Sequence, residues 1–426
     1  MKEVFIMKEH LLTYFFRYTA ISSQSNAAIS TVPSSAGQNQ LANVLKNDLA
    51  EIGLIDLSIS PTSVLTGFLP ANLPEGFHSP LPKVGFIAHL DTVDIGLSPY
   101  IHPQVIKKYN GKDICLNKEK KLFMKVSEHP ELKKYIGQDI LFSDGTSVLG
   151  ADNKAAIASL LTALETLHDN KTLYHGDLYF AFVPDEEIGL RGAKTLDFTK
   201  FPVDFAYTLD CCALGEVVYE TFNAGDAAIS ITGVSAHPMS AKNVLVNPTL
   251  IAVDFINLFD RLQTPENTDG TDGYIWVKSI TSNQRTATVT LNIRDHDKSR
   301  YEARKKYIDE AAAFIRQRYP RAAIGCTISD TYGNIADALT PDNRQCIDYI
   351  YAAMKNLNII PKTIAMRGGT DGSFISTKGI PTPNFFTGAH NFHSSNEFLP
   401  LDSFQSSCQM ILEIIKLIYK KNTPAR

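Results

Sequence analysis

Several familiar devices are missing from this chain of 426 residues. No apolar run approaches the length that crosses a bilayer, and Lys2, Glu3, Lys8, Glu9 and Arg17 interrupt the amino terminus, so neither a membrane span nor a secretory signal is expected. The six cysteines, at 115, 211, 212, 326, 346 and 408, include no C-x-x-C pair. That removes a zinc knuckle and leaves reduced, mostly buried thiols as the expectation for a cytoplasmic protein. Forty-one basic against 45 acidic side chains leave a net charge of −4 with no long basic tract, so nucleic acid is not an expected partner. G-x-S-x-G, G-x-x-x-x-G-K-[ST] and H-E-x-x-H are all absent, and serine-hydrolase and kinase readings are set aside.

What the chain has instead is a recurrence. Four apolar runs each lead into residues able to hold a metal: Val84–Ala88 into His89 and Asp91, Leu178–Val183 into Glu186 and Glu187, Phe205–Leu209 into Asp210, and Phe385–Gly388 towards His393. In an open α/β sheet, side chains just past the carboxyl ends of neighbouring strands meet in one crevice, so donors far apart in sequence can surround one point. Asp152 is a fifth candidate ligand, at the start of a helix predicted over 153–168 from Ile157, Leu160, Leu161 and Leu164.

The length exceeds what one core usually supports, and the rhythm of the sequence changes twice. Helix signals at Glu9–Arg17 and around Leu41–Leu49 precede alternating strand and helix signals, the pattern of a layered α/β domain. From about 221 to 332 the order becomes β-α-β-β-α-β: Ala227–Thr232, a helix after Asn247-Pro248, Tyr274–Ile280, Ala287–Arg294, a charged helix Ser299–Arg318, and Ala323–Ser329. Val289, Leu291 and Ile293 alternate with Thr288, Thr290 and Asn292, which predicts one buried and one wet face. The expected architecture is therefore a discontinuous catalytic domain, residues 1–220 and 333–426, with a mostly parallel mixed sheet flanked by helices. An α+β ferredoxin-like lid, 221–332, is inserted in it.

Imidazole and carboxylate donors suit zinc or similar divalent ions, and one carboxylate using both oxygens can bridge two ions roughly 3.5–4 Å apart. Five candidates are too many for one tetrahedral ion. Two ions accommodate them: His89 and Asp210 on one, Glu187 and His393 on the other, with Asp152 bridging. Asp91, pointing the same way as His89 on an extended chain, is placed to orient its ring. A turn at Pro184-Asp185 would present both Glu186 and Glu187, leaving Glu186 to take a proton from an activated water and return it to a leaving amine. Singly, each residue is more often a capping or satisfied polar group. Together, so many acidic and imidazole groups at one sheet edge would repel one another without cations.

The segments His89-Leu90-Asp91-Thr92, Leu149-Gly150-Ala151-Asp152-Asn153-Lys154-Ala155, Pro184-Asp185-Glu186-Glu187-Ile188-Gly189, Arg367-Gly368-Gly369-Thr370-Asp371-Gly372 and Asn391-Phe392-His393 occur in the order of the peptidase T family. Over nearly its whole length the chain resembles these co-catalytic dizinc tripeptide aminopeptidases. The resemblance implies the same assignment: two divalent ions, zinc first, on His89, Asp152, Glu187, Asp210 and His393, with Asp91 orienting and Glu186 accepting the proton. It also implies a short peptide as substrate, and a homodimer paired through the lid. In Gly233-Val234-Ser235-Ala236-His237-Pro238, His237 resembles the family histidine that stabilises the oxyanion of the scissile carbonyl. Arg294 and Arg367 are candidates to grip a peptide carboxylate through paired hydrogen bonds.

The chain also departs from the family pattern. Asp210-Cys211-Cys212-Ala213 stands where glycines are usual, and Ser394-Ser395-Asn396 replaces a stretch with two basic groups. These departures keep open a dipeptidase or an N-acyl amino acid amidohydrolase on the same scaffold. A metal-free relic that binds peptides is the remaining alternative, and the intact ligand set and Glu186 argue against it.

Overall fold

The structure is a computed structural model that describes residues 2–423, with side chains described from Ile6 onward. Met1 and residues 424–426, the outer ends of the two expected catalytic segments, lie outside the described residues. The chain divides into two compact units, one formed by 1–219, 339–364 and 370–426, the other by 220–338 and 365–369. No helix among the described residues is long and apolar enough to cross a membrane.

An eight-stranded mixed sheet organises the first unit. Its order is Ile55–Ile59, Leu65–Leu69, Leu178–Val183, Val84–His89, Phe205–Cys211, Asn384–Phe386, Glu216–Thr221 and Lys362–Met366. The four central strands, from Leu178–Val183 to Asn384–Phe386, run parallel. Continuous apolar sequence explains their position: every residue of Val84–His89 and Leu178–Val183 is buried, as strands covered on both faces require. Helix Ala151–Asp169 is buried along most of its length, with helices Lys2–Thr19 and Leu401–Lys421 packed against it. On the last of these, Phe404, Cys408, Ile411, Ile415 and Ile418 recur at helical spacing and are all buried.

Two small sheets built on residues 104–142, one completed by Phe398–Pro400, have no counterpart in the periodicity reading, because strands of three or four residues are too short to show a period. Ile140–Phe142 lies between Gln104–Ile106 and Phe398–Pro400 in a three-stranded sheet, and Ile114–Asn117 pairs with Leu122–Met124. Leu65–Leu69, also missing from that reading, is a strand of the main sheet.

The second unit has the expected β-α-β-β-α-β order: Asn223–Thr232, Pro248–Ile256, Tyr274–Ser282, Thr286–Asp295, Lys298–Arg318 and Ala323–Tyr332. Its four strands form an antiparallel sheet with Thr286–Asp295 and Asn223–Thr232 in the centre. Ile229, Val289, Leu291 and Ile293 pack with Ile251, Phe255, Ile308 and Ile315 of the two helices. Asn292, expected on the wet face, is only 6% exposed and donates to Asp226 Oδ1 at 2.9 Å. Residues 333–338 and 365–369 also belong here rather than to the catalytic segment. Hydrogen bonds draw them in: Thr221 N–H to Asn334 Oδ1 at 2.8 Å, Asn334 N–H to Asn223 Oδ1 at 3.2 Å, and Phe222 N–H to the Gly368 carbonyl at 3.2 Å.

Candidate metal centre

Because the four central strands of the first unit are parallel neighbours, their carboxyl ends form one edge. His89 ends its strand, Asp210 is the penultimate residue of another, Glu186 and Glu187 follow Val183 by a turn, and His393 follows Phe386 by a loop. Asp152 enters from the first turn of helix Ala151–Asp169, where its backbone is non-helical (φ −83, ψ 100) and its peptide to Asn153 is cis.

Asp152 is the meeting point. Its Oδ1 lies 2.8 Å from His89 Nε2 and its Oδ2 3.1 Å from His393 Nε2, so the two imidazoles address different oxygens of one carboxylate. Glu187 Oε1 is 3.0 Å from the same His393 nitrogen. Donor atoms of His89, Asp152 and Glu187 all fall within 4.8 Å of one another, as do those of His89, Glu186 and Asp210. The second grouping thus contains Glu186, to which the sequence reading gave a proton rather than a cation. His393 joins through its contacts with Asp152 and Glu187, and its side chain is 46% exposed.

The electrostatics are those of an acid excess under burial. Burial, then the negative charge of Asp210, holds the Glu186 carboxyl well above its ordinary range, and burial followed by Asp152 does the same to Asp210. Glu187 is pushed up to about 7 by burial and Asp152, against the pull of His393. Burial raises Asp152 too, yet hydrogen bonds from His393 and His89 outweigh it and keep the bridging carboxylate well below its usual range. Contact with Asp152 and Glu187 raises His393 to about 11. Burial alone would lower His89, but Asp152 and Asp91 raise it. Lys154, the nearby buried cation, is pushed down to about 8 by burial and gives a hydrogen bond to Ser23 Oγ at 2.8 Å. Nitrogen and oxygen donors crowded round a buried point with too little positive charge fit divalent cations.

Asp91 does more than the sequence suggests. His89 Nδ1 is 3.1 Å from its backbone carbonyl and 3.4 Å from its carboxylate, so the ring is oriented mainly by main chain. The carboxylate accepts the N–H of Glu186 at 3.0 Å and of Glu187 at 3.2 Å. The expected turn is there, with Asp185 at φ +56. Asp185 is wholly buried; its carboxylate accepts Ser34 N–H and Gln38 Nε2, both at 2.7 Å, while Gln38 Oε1 takes the Asp185 N–H at 2.8 Å. Nothing in the sequence around Ser34 signals this role. Asn153 donates to the Leu209 carbonyl at 2.7 Å, and Asn384 Oδ1 accepts the Asp210 N–H at 2.6 Å. Glu397, directly after Ser394-Ser395-Asn396, was not among the expected site residues.

His237, Arg294 and Arg367 belong to the second unit. His237 is exposed, and its Nδ1 accepts the Met239 N–H at 3.2 Å, capping the turn Pro238–Ser240. Arg294 lies 5.2 Å over the ring of Tyr332, and its Nη1 is buried without a hydrogen-bond partner. Arg367 stacks on Phe222 and Tyr274 and donates to the carbonyls of Gly270 and Asp272 and to Thr268 Oγ1. In the first unit, burial raises the thiols of Cys211 and Cys212, which keeps both in the unreactive protonated form.

Residues 150–417 match the model of peptidase family M20/M25/M40. The chain is similar to a peptidase T-like protein of Yersinia pestis, 52% identical over 95% of this chain and 96% of that one. It is also similar to a peptidase T of Fusobacterium nucleatum, 40% identical with 95% and 96% covered. Among solved structures, aminopeptidase PepT from Bacillus cereus superposes with a TM-score of 0.73 at 21% identity, covering 97% of this chain and 99% of that one, a likeness of fold.

Proposed function

This chain belongs to peptidase family M20/M25/M40, and on that premise we propose that it is a metal-dependent aminopeptidase removing the N-terminal residue from tripeptides and other short peptides. The observation that carries the reading is the convergence on Asp152 of His89 and His393, with Glu186, Glu187 and Asp210 beside them. His89 and Asp210 would hold one ion, Glu187 and His393 a second, and Asp152 both, zinc being the ion best suited to this donor set. Divalent cations held there supply Lewis acidity and lower the pKa of water at the site.

The chain's own groups do the rest. The Glu186 carboxylate takes a proton from the attacking water and passes it to the leaving amine nitrogen; the Asp91 carboxylate keeps it in place through the Glu186 N–H. Burial supports that task, because a carboxyl held above its ordinary range by its surroundings is a stronger proton acceptor than an exposed one. His237, whose Nδ1 is spent on its own turn, offers Nε2 to the oxygen of the scissile carbonyl. Arg294, with an unpartnered Nη1, keeps a donor for a peptide carboxylate, whereas Arg367 has turned three of its N–H groups to Thr268, Gly270 and Asp272. Free cysteines support a cytoplasmic location.

The test compares Ala-Ala-Ala, Ala-Ala and N-acetylalanine in the presence of zinc or cobalt. At least a tenfold higher kcat/KM for the tripeptide is expected, with the blocked amine untouched; equal or faster hydrolysis of N-acetylalanine overturns the aminopeptidase reading.

A further inference from the structure

We propose that Glu397 is a positioning residue for Asp152, one whose carboxylate sets how tightly the centre holds both of its cations. The inference rests on the metal reading above. Glu397 is 1% exposed, and its two oxygens accept three backbone N–H groups: Oε2 those of Leu149 at 2.7 Å and Gly150 at 2.9 Å, Oε1 that of Asp152 itself at 3.1 Å.

These are N–H groups that the helix starting at Ala151 cannot satisfy. The first donors of any helix lack an internal partner, and a serine or aspartate at the N-cap usually supplies one. Here the N-cap is Gly150, at φ +74 and with no side chain to offer, and the first regular bond, Lys154 N–H to the Gly150 carbonyl at 3.1 Å, begins beyond Asp152. A residue 245 positions away fills the gap.

Its origin matters more than its capping. Glu397 sits four residues after His393 on the same loop, and the next residue enters strand Phe398–Pro400, pinned to Ile140–Phe142. One carboxylate therefore ties the segment presenting Asp152 to the segment presenting His393, whose side chains meet at 3.1 Å. Loosening it frees the shared carboxylate relative to one of its imidazoles, which weakens a bridged pair of ions at both positions. An amide cannot replace it. With three N–H donors converging, the NH2 of a glutamine would face one of them, whereas a carboxylate only accepts.

The test is metal affinity of the full chain, measured by zinc titration against a competing chelator for wild type, Glu397→Gln and Glu397→Asp. Asn247→Ala, which removes a helix cap in the second unit, serves as a stability control. Partners that orient metal ligands typically govern roughly 10–100-fold in affinity. A loss of that order for both ions is expected in Glu397→Gln, a smaller one in Glu397→Asp, and none in Asn247→Ala. If Glu397→Gln does not fold, the graded loss in Glu397→Asp, which keeps the charge, is the readout. Affinities within twofold of wild type in whichever variant folds, or an equal loss in Asn247→Ala, overturn the inference. Absence of tightly held zinc in the wild type would instead overturn the metal reading and this inference with it.

Discussion

Asp295 and Asp152 are both buried carboxylates, yet the chain treats them differently. Asp295, in the second unit, is wholly buried and receives Arg300 Nε at 3.1 Å, Arg304 Nε at 2.9 Å and the Asp297 N–H at 3.1 Å. Its charge is matched by arginines from the adjoining helix turns. Asp152 meets the imidazoles of His89 and His393, but Glu186, Glu187 and Asp210 crowd beside them, and the nearby ammonium of Lys154 is turned to Ser23. A buried charge is tolerable when paired and hydrogen-bonded, and costly otherwise. The first arrangement is complete within the chain, and the second calls for cations from outside.

Removing those cations should have the largest effect. Dialysis against a chelator is expected to abolish peptide hydrolysis, and zinc or cobalt to restore it; undiminished activity in metal-free protein would erase the contrast. Next comes Glu186→Gln, which spares the other donors and removes the proton acceptor. A fall in kcat of roughly 10²–10⁴-fold is expected, with metal content by elemental analysis unchanged. Loss of metal in that variant would make Glu186 a ligand, as its grouping with His89 and Asp210 allows.

The comparison sharpens through stability. Asp295→Asn leaves two guanidiniums without their shared acceptor and should cost about 2–3 kcal/mol, discounted because Arg300 is 59% exposed, whether or not metal is present. Asp210→Asn should do the reverse in metal-free protein: it relieves acid crowding and raises stability, while weakening metal binding. Urea unfolding of both variants with and without zinc checks the pair, and a destabilised metal-free Asp210→Asn would deny the crowding.

The smallest effect concerns His390. Burial pushes it down to about 4, between the Phe398 ring at 4.7 Å and Tyr135, whose hydroxyl lies 2.6 Å from its Nε2. The folded state thus binds this proton more weakly than the unfolded chain, whose histidine titrates near 6.5. Stability from the neutral ring is complete above about 6.5 and is lost as pH falls towards 4, by about 1–2 kcal/mol. In His390→Gln the acid limb of unfolding free energy against pH should flatten; an unchanged limb would show that His390 does not contribute to it.

Most donors could be read from the chain because each ends a local pattern. Val84–His89 and Leu178–Val183 are continuous apolar strands, and a polar residue just past such a run belongs to the sheet edge whatever the run pairs with. The second unit was legible for a similar reason, since the apolar Val289, Leu291 and Ile293 recur at every second position and are all buried. Asn292 broke the alternation because Asp226 on the neighbouring strand gave its amide a partner, which no single-strand pattern records. Ser34, Gln38 and Asn384 escaped notice for the same reason: each acts through hydrogen bonds to residues distant in sequence. Asp91 lies beside His89, but its carboxylate serves the Glu186–Glu187 turn, 95 residues on.

By itself the sequence determined the kinds of donor and their places at strand and helix ends, because periodicity and residue chemistry are local properties. Only the tertiary structure decided that Leu178–Val183, Val84–His89, Phe205–Cys211 and Asn384–Phe386 lie side by side in that order, bringing His89 and His393 to opposite oxygens of Asp152. It likewise decided that Glu397 caps a helix start 245 residues away, for strand order and long-range hydrogen bonds depend on how whole elements pack.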